Sequence, residues 1–188
     1  LRDGPTFSVH NPATGETLSE VFDGNAEHAQ QAIKAAEQAQ DSWAGETAYK
    51  RSELLARAHG LMLERQAALA NLMTREQGKP LKAAMNEVKY AADFLLWFAE
   101  EAKRIYGETI PSARADQRFL VHKQAVGVVA AITPWNYPIS MLPRKLGPAL
   151  AAGCTVVLKP AESTPLCAMA VFDILHEVGF PPGVVNLV

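Results

Sequence analysis

Polar side chains follow two apolar runs of the sequence, at the points where each run ends. The first run, residues 126–132, leads into the turn 133–138, and the second run, residues 154–158, leads into the segment 159–162. Asn136 stands in the first turn between two aromatic residues and ahead of a proline, so its side-chain amide is a neutral donor in a preorganised position. The carboxyl ends of strands in an open α/β sheet are where ligands bind. Two such ends close together predict a ligand site.

Lys159 and Glu162 in the second segment are a cation and a carboxylate suited to a nucleotide sugar. A carboxylate that follows a parallel strand accepts hydrogen bonds from ribose hydroxyls and repels a 2′-phosphate, whereas a lysine would tolerate that phosphate. Each motif also has a plainer interpretation. The Asn136 side chain could satisfy the backbone of its own turn, and the charged pair could be a surface ion pair contributing about 0–1 kcal/mol.

The pattern around these segments predicts an α/β fold with a doubly wound, mostly parallel sheet. Strands joined by helices of a dozen or so residues favour parallel pairing. The C-terminal part alternates in this way, with two strands around Gln124-Ala125 followed by a helix over 139–152, a strand over 154–158, a helix over 164–178 and a strand over 184–188. Residues 1–23 are predicted to form short extended pieces and turns. Between them and the alternating part, apolar residues recur at helical spacing. This spacing predicts a helical layer with helices over 25–44, 47–64, 66–77 and 80–106.

Composition excludes several classes of function. The 188 residues carry a net charge of −2 and a pI near 6.2, which does not favour nucleic acid or an anionic membrane. The longest apolar run is far shorter than the ~20 residues of a membrane span, and we see no signal peptide at the start. Cys154 and Cys167 make no disulfide framework and are predicted to be core residues, which favours the cytoplasm. The five histidines show no metal-ligand spacing, so no metal site is expected.

The sequence resembles the aldehyde dehydrogenase superfamily, in particular its succinate-semialdehyde dehydrogenases. The resemblance covers essentially the whole chain, through blocks that occur in the family's order: residues 11–16, 76–80, 132–138, 147–154, 158–162 and 180–186. It implies an NAD(P)-dependent enzyme that oxidises an aldehyde to the carboxylic acid. It also implies that Asn136 is the oxyanion-hole donor, which stabilises the alkoxide formed when a thiolate attacks the aldehyde.

The resemblance implies roles for further residues. Those lining the nicotinamide side of the cofactor would be Ile132, Thr133, Pro134 and Trp135, although plain strand core is also compatible with them. Those at the ribose would be Lys159, Pro160, Ala161 and Glu162. Glu162 favours NAD, with NADP as the alternative because of Lys159. The resemblance assigns Arg144 to the distal carboxylate of the substrate, for which a guanidinium is suited; the alternative is a solvated helix residue.

The resemblance also implies a division of the chain. Residues 1–115 would form the N-terminal helical layer of the cofactor domain, 116–124 part of an oligomerisation hairpin, and 125–188 the first βαβαβ part of the NAD(P)-binding domain. The segments with the nucleophilic cysteine and general-base glutamate would be absent, so we expect the chain alone to be inactive. The full-length enzyme is expected to be a homo-oligomer that uses succinic semialdehyde or a similar aldehyde. The alternatives are an uncharged aldehyde substrate and a non-catalytic module for binding or subunit interaction.

Overall fold

Two short strands and a tight turn begin the part of the chain that the computed structural model describes, residues 4–188. Strand β1 (Thr6–His10) pairs antiparallel with β2 (Thr17–Phe22). In the turn between them, the Asn11 side chain accepts a hydrogen bond from the N–H of Ala13 over 2.9 Å. Gly15 adopts a positive φ of 74°, which a glycine adopts without strain. This hairpin reproduces the short extended pieces predicted for the region.

Four helices follow and form the predicted helical layer. The side chain of Asn25 caps the first by accepting hydrogen bonds from the N–H groups of Glu27 and His28. Gly78 ends the third in the left-handed conformation, with φ of 81°. The helices are α1 (Ala26–Gly45), α2 (Ala48–Glu64), α3 (Gln66–Gln77) and α4 (Leu81–Glu101).

The end of α4 differs from the prediction. The helix was expected to continue to residue 106, but it ends at Glu101 and is followed by a 3₁₀ turn, Ala102–Arg104. Gly107 then lies so close to the backbone carbonyl of Val121 that a β-carbon at this position would collide with it. The chain must therefore leave the helical path before Gly107 to make this close backbone approach.

A second hairpin contains the first of the two strands predicted around Gln124-Ala125. Strand β3 (Glu108–Ile110) pairs antiparallel with β4 (Phe119–Val121), and all six residues are exposed. Because β4 turns back onto β3 and does not pair with the next strand along the chain, the two form a separate two-stranded sheet.

The C-terminal part forms a parallel sheet in the order β5 (Val128–Ile132), β6 (Thr155–Lys159), β7 (Val185–Leu187). Helix α5 (Pro143–Ala151) connects β5 to β6, and α6 (Pro165–Val178) connects β6 to β7. The α/β class and the parallel pairing of these strands are confirmed. None of the helices in residues 4–188 has both the length and the apolar composition needed to cross a bilayer.

Helix α5 begins later than predicted, at Pro143 and not at residue 139. Residues 133–142 lie outside helix and strand, and we call this segment the β5 loop. The N–H groups of Ile139 and Ser140 donate to the carboxylate of Glu87, a side chain on α4. Helix α5 itself begins at Pro143, a residue that suits a first turn because the N–H it lacks would have no helical partner there.

The core lies between the helical layer and the sheet. Side chains from α2, α3, α4, α5, α6 and β6 form one continuous buried cluster. The largest side chains that are almost fully buried are Trp43, Leu55, Met62, Met73, Leu95, Ile139, Leu142, Leu146, Leu150, Leu158, Ile174 and Leu175. The core therefore includes Ile139 and Leu142 of the β5 loop, which fixes one end of that loop against the helical layer.

Candidate active site

Strands β5 and β6 end side by side. Ile132 and Lys159 are partners in the parallel register, and the N–H of Thr133 donates to the carbonyl of Lys159 over 3.1 Å. The two segments that follow therefore leave the sheet at the same edge, as the sequence predicts. This is the carboxyl edge, where open α/β sheets bind ligands.

The β5 loop presents exposed side chains beside a buried one. Thr133 is only 4% exposed, whereas Ile132 and Trp135 are 73% and 58% exposed. Pro134 and Asn136 are exposed as well. The side-chain amide of Asn136 forms no hydrogen bond with any residue from 4 to 188; only its backbone carbonyl is engaged. The amide does not satisfy its own turn and is available to donate outward.

Glu87 holds the far end of the β5 loop. Its side chain is 2% exposed, and its Oε1 accepts hydrogen bonds from the N–H groups of Ile139 and Ser140, each over 3.1 Å. Lys79, whose side chain is 13% exposed, forms an ion pair with the other carboxylate oxygen. A buried carboxylate requires such compensation, because desolvation disfavours an isolated charge.

Lys79 also binds the same loop closer to its middle. Its Nζ donates to the carbonyl of Asn136 over 3.0 Å and lies 4.1 Å from the centroid of the Tyr137 ring. The amide of Gln77 makes a longer contact with the same carbonyl, 3.4 Å. The backbone that follows the Asn136 side chain is thus tied to the helical layer, first at the carbonyl of residue 136 and again at residues 139 and 140.

Lys159 and Glu162 form an ion pair on the surface after β6. Their side chains are 47% and 76% exposed, and Lys159 also donates to the carbonyl of Pro160 over 3.2 Å. The hydrogen bond from Lys159 lowers the pKa of the Glu162 carboxyl below its ordinary value. Pro160 and Ala161 between them are half-buried. The surface pair considered in the sequence is present, and both charged groups remain accessible to a ligand.

Glu76 caps the helix that follows this pair. Its Oε1 accepts from the N–H of Leu166 over 2.6 Å and its Oε2 from the N–H of Cys167 over 2.9 Å. Within residues 4–188, the N-cap residue Thr164 provides no side-chain hydrogen bond to α6. Burial raises the pKa of Glu76 above its ordinary value, and the hydrogen bonds from Cys167 and Leu166 offset part of that effect.

Two cavities flank the β5 loop. The larger, about 550 Å³, is lined by Tyr137, Arg144 and residues of α4, among others. The smaller, about 330 Å³, is lined by Trp135, Glu162 and residues of β1 and α3, among others. The two neighbours of Asn136 in the chain thus face different cavities, and Asn136 lies between them in sequence.

The predicted site residues are therefore only partly brought together. Glu162 shares the smaller cavity with Trp135, and Arg144 shares the larger one with Tyr137. Among residues 4–188, the linings of these two cavities include neither Asn136 nor any of the remaining candidates, Ile132, Thr133, Pro134, Lys159, Pro160 and Ala161. These lie at the paired strand ends or in the segments that follow.

Arg144 is exposed and lies in the first turn of α5, because the helix begins later than the predicted residue 139. Its Nη2 donates to the hydroxyl of Tyr90 over 3.2 Å, and its guanidinium carbon lies 5.3 Å from the centroid of the Phe94 ring. The guanidinium is thus oriented by α4 and directed along the wall of the larger cavity. Lys145, which follows it, is half-buried.

Sequence reasoning missed Glu76, Glu87 and Tyr90. The sequence does contain a pattern that could have identified Glu76 and Glu87. Glu87 lies three residues after Ala84 and four before Ala91, both fully buried, so it falls on the apolar face of α4. Glu76 similarly follows the buried Met73 by three residues. A carboxylate on a buried helical face must find donors or a cation, which marks it as a residue with a specific partner.

The cysteines are buried core residues, as predicted. Cys154 and Cys167 are each about 3% exposed or less, and neither forms a disulfide in the described part of the chain. Burial, together with the nearby Glu76, raises the pKa of the Cys167 thiol well above its ordinary range. A thiol in that environment is a poor nucleophile.

Comparison with known proteins gives the same family over nearly the whole chain. The family model described as "Aldehyde dehydrogenase family" matches residues 2–188. A probable succinate-semialdehyde dehydrogenase [NADP(+)] from Sinorhizobium fredii is 57% identical over 182 residues, which cover 97% of this chain and 37% of the relative. A glutarate-semialdehyde dehydrogenase from Pseudomonas putida is 53% identical over 99% of this chain and 39% of the relative.

A solved structure is also similar. The crystal structure of an NADP-dependent enzyme from E. coli superposes with a TM-score of 0.97 at 51% identity, covering 100% of this chain and 39% of that one. The chain thus spans less than two-fifths of the length of these relatives. Enzymes of the family use NAD or NADP. On the family match and these identities, the chain belongs to the aldehyde dehydrogenase family.

Proposed function

We propose that the chain is the N-terminal, cofactor-binding portion of an NAD(P)-dependent aldehyde dehydrogenase that oxidises succinic semialdehyde or a similar carboxylated aldehyde. One observation carries the proposal most directly. The Asn136 amide is exposed and unengaged within residues 4–188, while its backbone is held by Lys79 and its neighbours line two separate cavities. A fixed donor between a cofactor side and a substrate side suits an oxyanion hole.

The smaller cavity supports the cofactor assignment. Glu162 and Trp135 both line it, and an exposed carboxylate acceptor and an aromatic ring fit the hydroxyls of a ribose and a flat ring system. Glu162 and Lys159 would bind the ribose hydroxyls with Pro160 and Ala161 shaping the turn, while the segment 132–135 would border the nicotinamide. The dinucleotide, when bound, accepts the two electrons removed from the aldehyde. Glu162 favours NAD; Lys159 and the NADP named for the S. fredii relative keep NADP as the alternative.

The larger cavity supports an anionic substrate. Arg144 lines it, and the guanidinium can bind a carboxylate through two parallel hydrogen bonds. Two relatives are named for succinate and glutarate semialdehydes, whose distal carboxylates such a guanidinium would recognise. We place the aldehyde carbon towards Asn136 and the carboxylate towards Arg144.

The nucleophile would come from other residues of the longer enzyme. Cys154 and Cys167 are buried, and the thiol pKa of Cys167 is raised, so neither suits attack on an aldehyde. We therefore expect no NADH production above blank from the purified 188 residues with succinic semialdehyde. Turnover by these residues alone would contradict the proposal.

Cofactor binding can be tested on the 188 residues by titration calorimetry with NAD and NADP. We expect measurable NAD affinity that falls at least about tenfold in Glu162→Ala, since a hydrogen bond to a charged group contributes about 1.5–3 kcal/mol. Glu53→Ala is the matched control, because Glu53 pairs with Lys50 in an exposed ion pair of the same spacing on α2. No NAD affinity in the wild type would instead favour a non-catalytic module.

The substrate assignment can be tested in the longer enzyme with succinic semialdehyde and a neutral aldehyde of similar length. Arg144→Ala should lower kcat/KM for the carboxylated substrate about 10- to 100-fold, the contribution of a charge-assisted hydrogen bond. The neutral aldehyde should be little affected. Arg65→Ala, which removes an arginine from an exposed ion pair with Glu177, serves as a control. Equal losses for both aldehydes would refute the carboxylate role and favour an uncharged substrate.

A second candidate function, subunit interaction, is favoured by the hairpin β3–β4. Ile110, Phe119, Leu120 and Val121 are 43%, 48%, 79% and 39% exposed, an apolar concentration typical of contact surfaces. The hairpin overlaps the segment 116–124 assigned to homo-oligomer contacts, and that assignment remains a proposal, as does the wider division of the chain. Leu120→Asp should shift the sedimentation coefficient of the longer enzyme towards a smaller species, and an unchanged value would contradict it. A cytoplasmic location likewise stays a prediction.

A further inference from the structure

We propose that Lys79 and Glu87 are positioning residues for Asn136. They would set where the Asn136 amide points, and so control the rate of the chemical step without contacting the reacting atoms. The inference rests on the proposed role of Asn136 as an oxyanion donor. It concerns two residues that lie on neither strand of the site.

The contacts of this pair hold the backbone directly after the Asn136 side chain. Lys79 binds the carbonyl of Asn136, and Glu87 binds the N–H groups of Ile139 and Ser140. The two side chains form an ion pair with each other, so the contacts at residue 136 and at residues 139 and 140 form one connected unit. The segment between them has no helix or strand to fix it.

The anchors are themselves rigidly placed. Glu87 projects from the buried face of α4, with Val88 beside it fully buried. Lys79 follows Gly78, whose left-handed conformation turns the chain at the end of α3 towards the β5 loop. The contact of Lys79 with the face of the Tyr137 ring adds a cation–π interaction that restrains the ammonium. A displacement of the amide by about 1 Å can cost about 100-fold in rate.

Lys79 also lines the larger cavity with Arg144, which suggests a competing role as a second cation for the substrate's carboxylate. The two roles make different predictions. A substrate-binding lysine affects KM and discriminates carboxylated from neutral aldehydes. A positioning lysine lowers kcat for both aldehydes alike and loses its effect when Asn136 is absent.

The test is a double-mutant cycle in the longer enzyme, with Lys79→Met, Asn136→Ala and the double variant, assayed on both aldehydes. We expect Asn136→Ala to lower kcat about 10²- to 10³-fold and Lys79→Met to lower it about 10- to 100-fold. KM for either aldehyde should change by less than about twofold, and the double variant should be no slower than Asn136→Ala alone. Lys50→Met, which breaks an exposed ion pair on α2, is the control.

Folding is checked independently, because Lys79→Met leaves Glu87 buried without its cation. Thermal unfolding and NAD affinity are measured for every variant. Glu87→Gln, which keeps the shape and one acceptor oxygen, gives a second cycle with Asn136→Ala. If Lys79→Met does not fold, the Glu87→Gln cycle alone decides, with the same expected non-additivity.

Additive losses of kcat in the double variants would overturn the inference. An unchanged kcat in both Lys79→Met and Glu87→Gln would overturn it as well. A loss confined to the carboxylated aldehyde would assign Lys79 to substrate binding and overturn it too. These outcomes leave the proposed function intact, provided that Asn136→Ala is slow. An Asn136→Ala enzyme with normal kcat would instead refute the oxyanion role, and the positioning role with it.

Discussion

The β5 loop and the start of α6 are held in the same way by two buried carboxylates of the helical layer. Glu87 accepts hydrogen bonds from two successive backbone N–H groups at 139 and 140, and Glu76 accepts from two at 166 and 167. They differ in charge compensation. Lys79 pairs with Glu87, whereas no lysine or arginine of residues 4–188 forms an ion pair with Glu76. One anchor is an ion pair and the other is a carboxylate at a helix N-terminus.

The difference matches what each segment does. The β5 loop has no helix of its own at 139 and 140, so Lys79 is needed both to compensate Glu87 and to bind the carbonyl of Asn136. At the start of α6, the partial positive charge of the helix N-terminus stabilises Glu76 in place of a cation. That compensation is incomplete, because burial still raises the pKa of Glu76. We therefore expect the loss of Glu87 to cost more stability than the loss of Glu76, and we expect the raised pKa of Glu76 to make stability depend on pH.

The largest effect should come from removing Glu87. Glu87→Ala leaves Lys79 without its partner and two buried N–H groups without an acceptor. Breaking a buried ion pair from one side costs about 3–5 kcal/mol in the free energy of unfolding. Urea denaturation measures this, with the exposed Glu53→Ala as control. A loss no greater than that of the control would show that the pair contributes nothing to stability.

Removing Glu76 should have a smaller effect. Glu76→Ala takes the acceptor from the N–H groups of Leu166 and Cys167 but leaves no cation unpaired. Unsatisfied buried donors cost about 1–3 kcal/mol. The same denaturation experiment applies, and Glu177→Ala, at an exposed position near the other end of α6, is its control. A loss equal to that of Glu87→Ala would mean that the cation makes no difference between the anchors.

The raised pKa of Glu76 should make the free energy of unfolding depend on pH. The folded-state pKa of Glu76 is raised, so its contribution to stability is fully present below the unfolded pKa of about 4.3 and is lost as pH rises through the folded value. The free energy of unfolding should therefore carry a component that decreases over this interval in the wild type and is absent in Glu76→Gln. Denaturation at a series of pH values, compared between the two proteins, measures it. Parallel pH profiles would contradict the raised pKa.

The smallest effect is expected from the exposed pair after β6. Glu162→Gln removes the negative charge that pairs with Lys159, but both side chains are largely exposed, so solvent and salt already screen this ion pair. We expect a change in the free energy of unfolding below about 1 kcal/mol, and a smaller one still at 1 M salt. A cost comparable to that of Glu87→Ala would show that this pair is a structural anchor and not an accessible ligand-binding group.

Much of the fold could be predicted from local patterns. Apolar residues at helical spacing indicated all four helices of the layer, and Gly78 ends α3 as expected because it adopts a left-handed conformation. The apolar runs before Thr133 and after Gly153 became the parallel neighbours β5 and β6. Segments whose boundaries depend on distant contacts were less predictable. The start of α5 was placed too early, since residues 139 and 140 belong to the β5 loop, where their N–H groups bind Glu87 of α4, more than 50 positions away.

The sequence by itself determined the α/β class, the adjacency of the two strand ends and the residue types that meet there. It could do so because apolar periodicity, and the glycines and prolines that end helices and strands, are local properties. Only the tertiary structure decided that Glu87, Lys79 and Glu76 hold those strand-end segments, and that Trp135 and Tyr137 line different cavities. These contacts join residues more than 50 positions apart. The donors that satisfy a buried carboxylate are those that packing brings close to it, and the neighbouring residues in the sequence do not specify them.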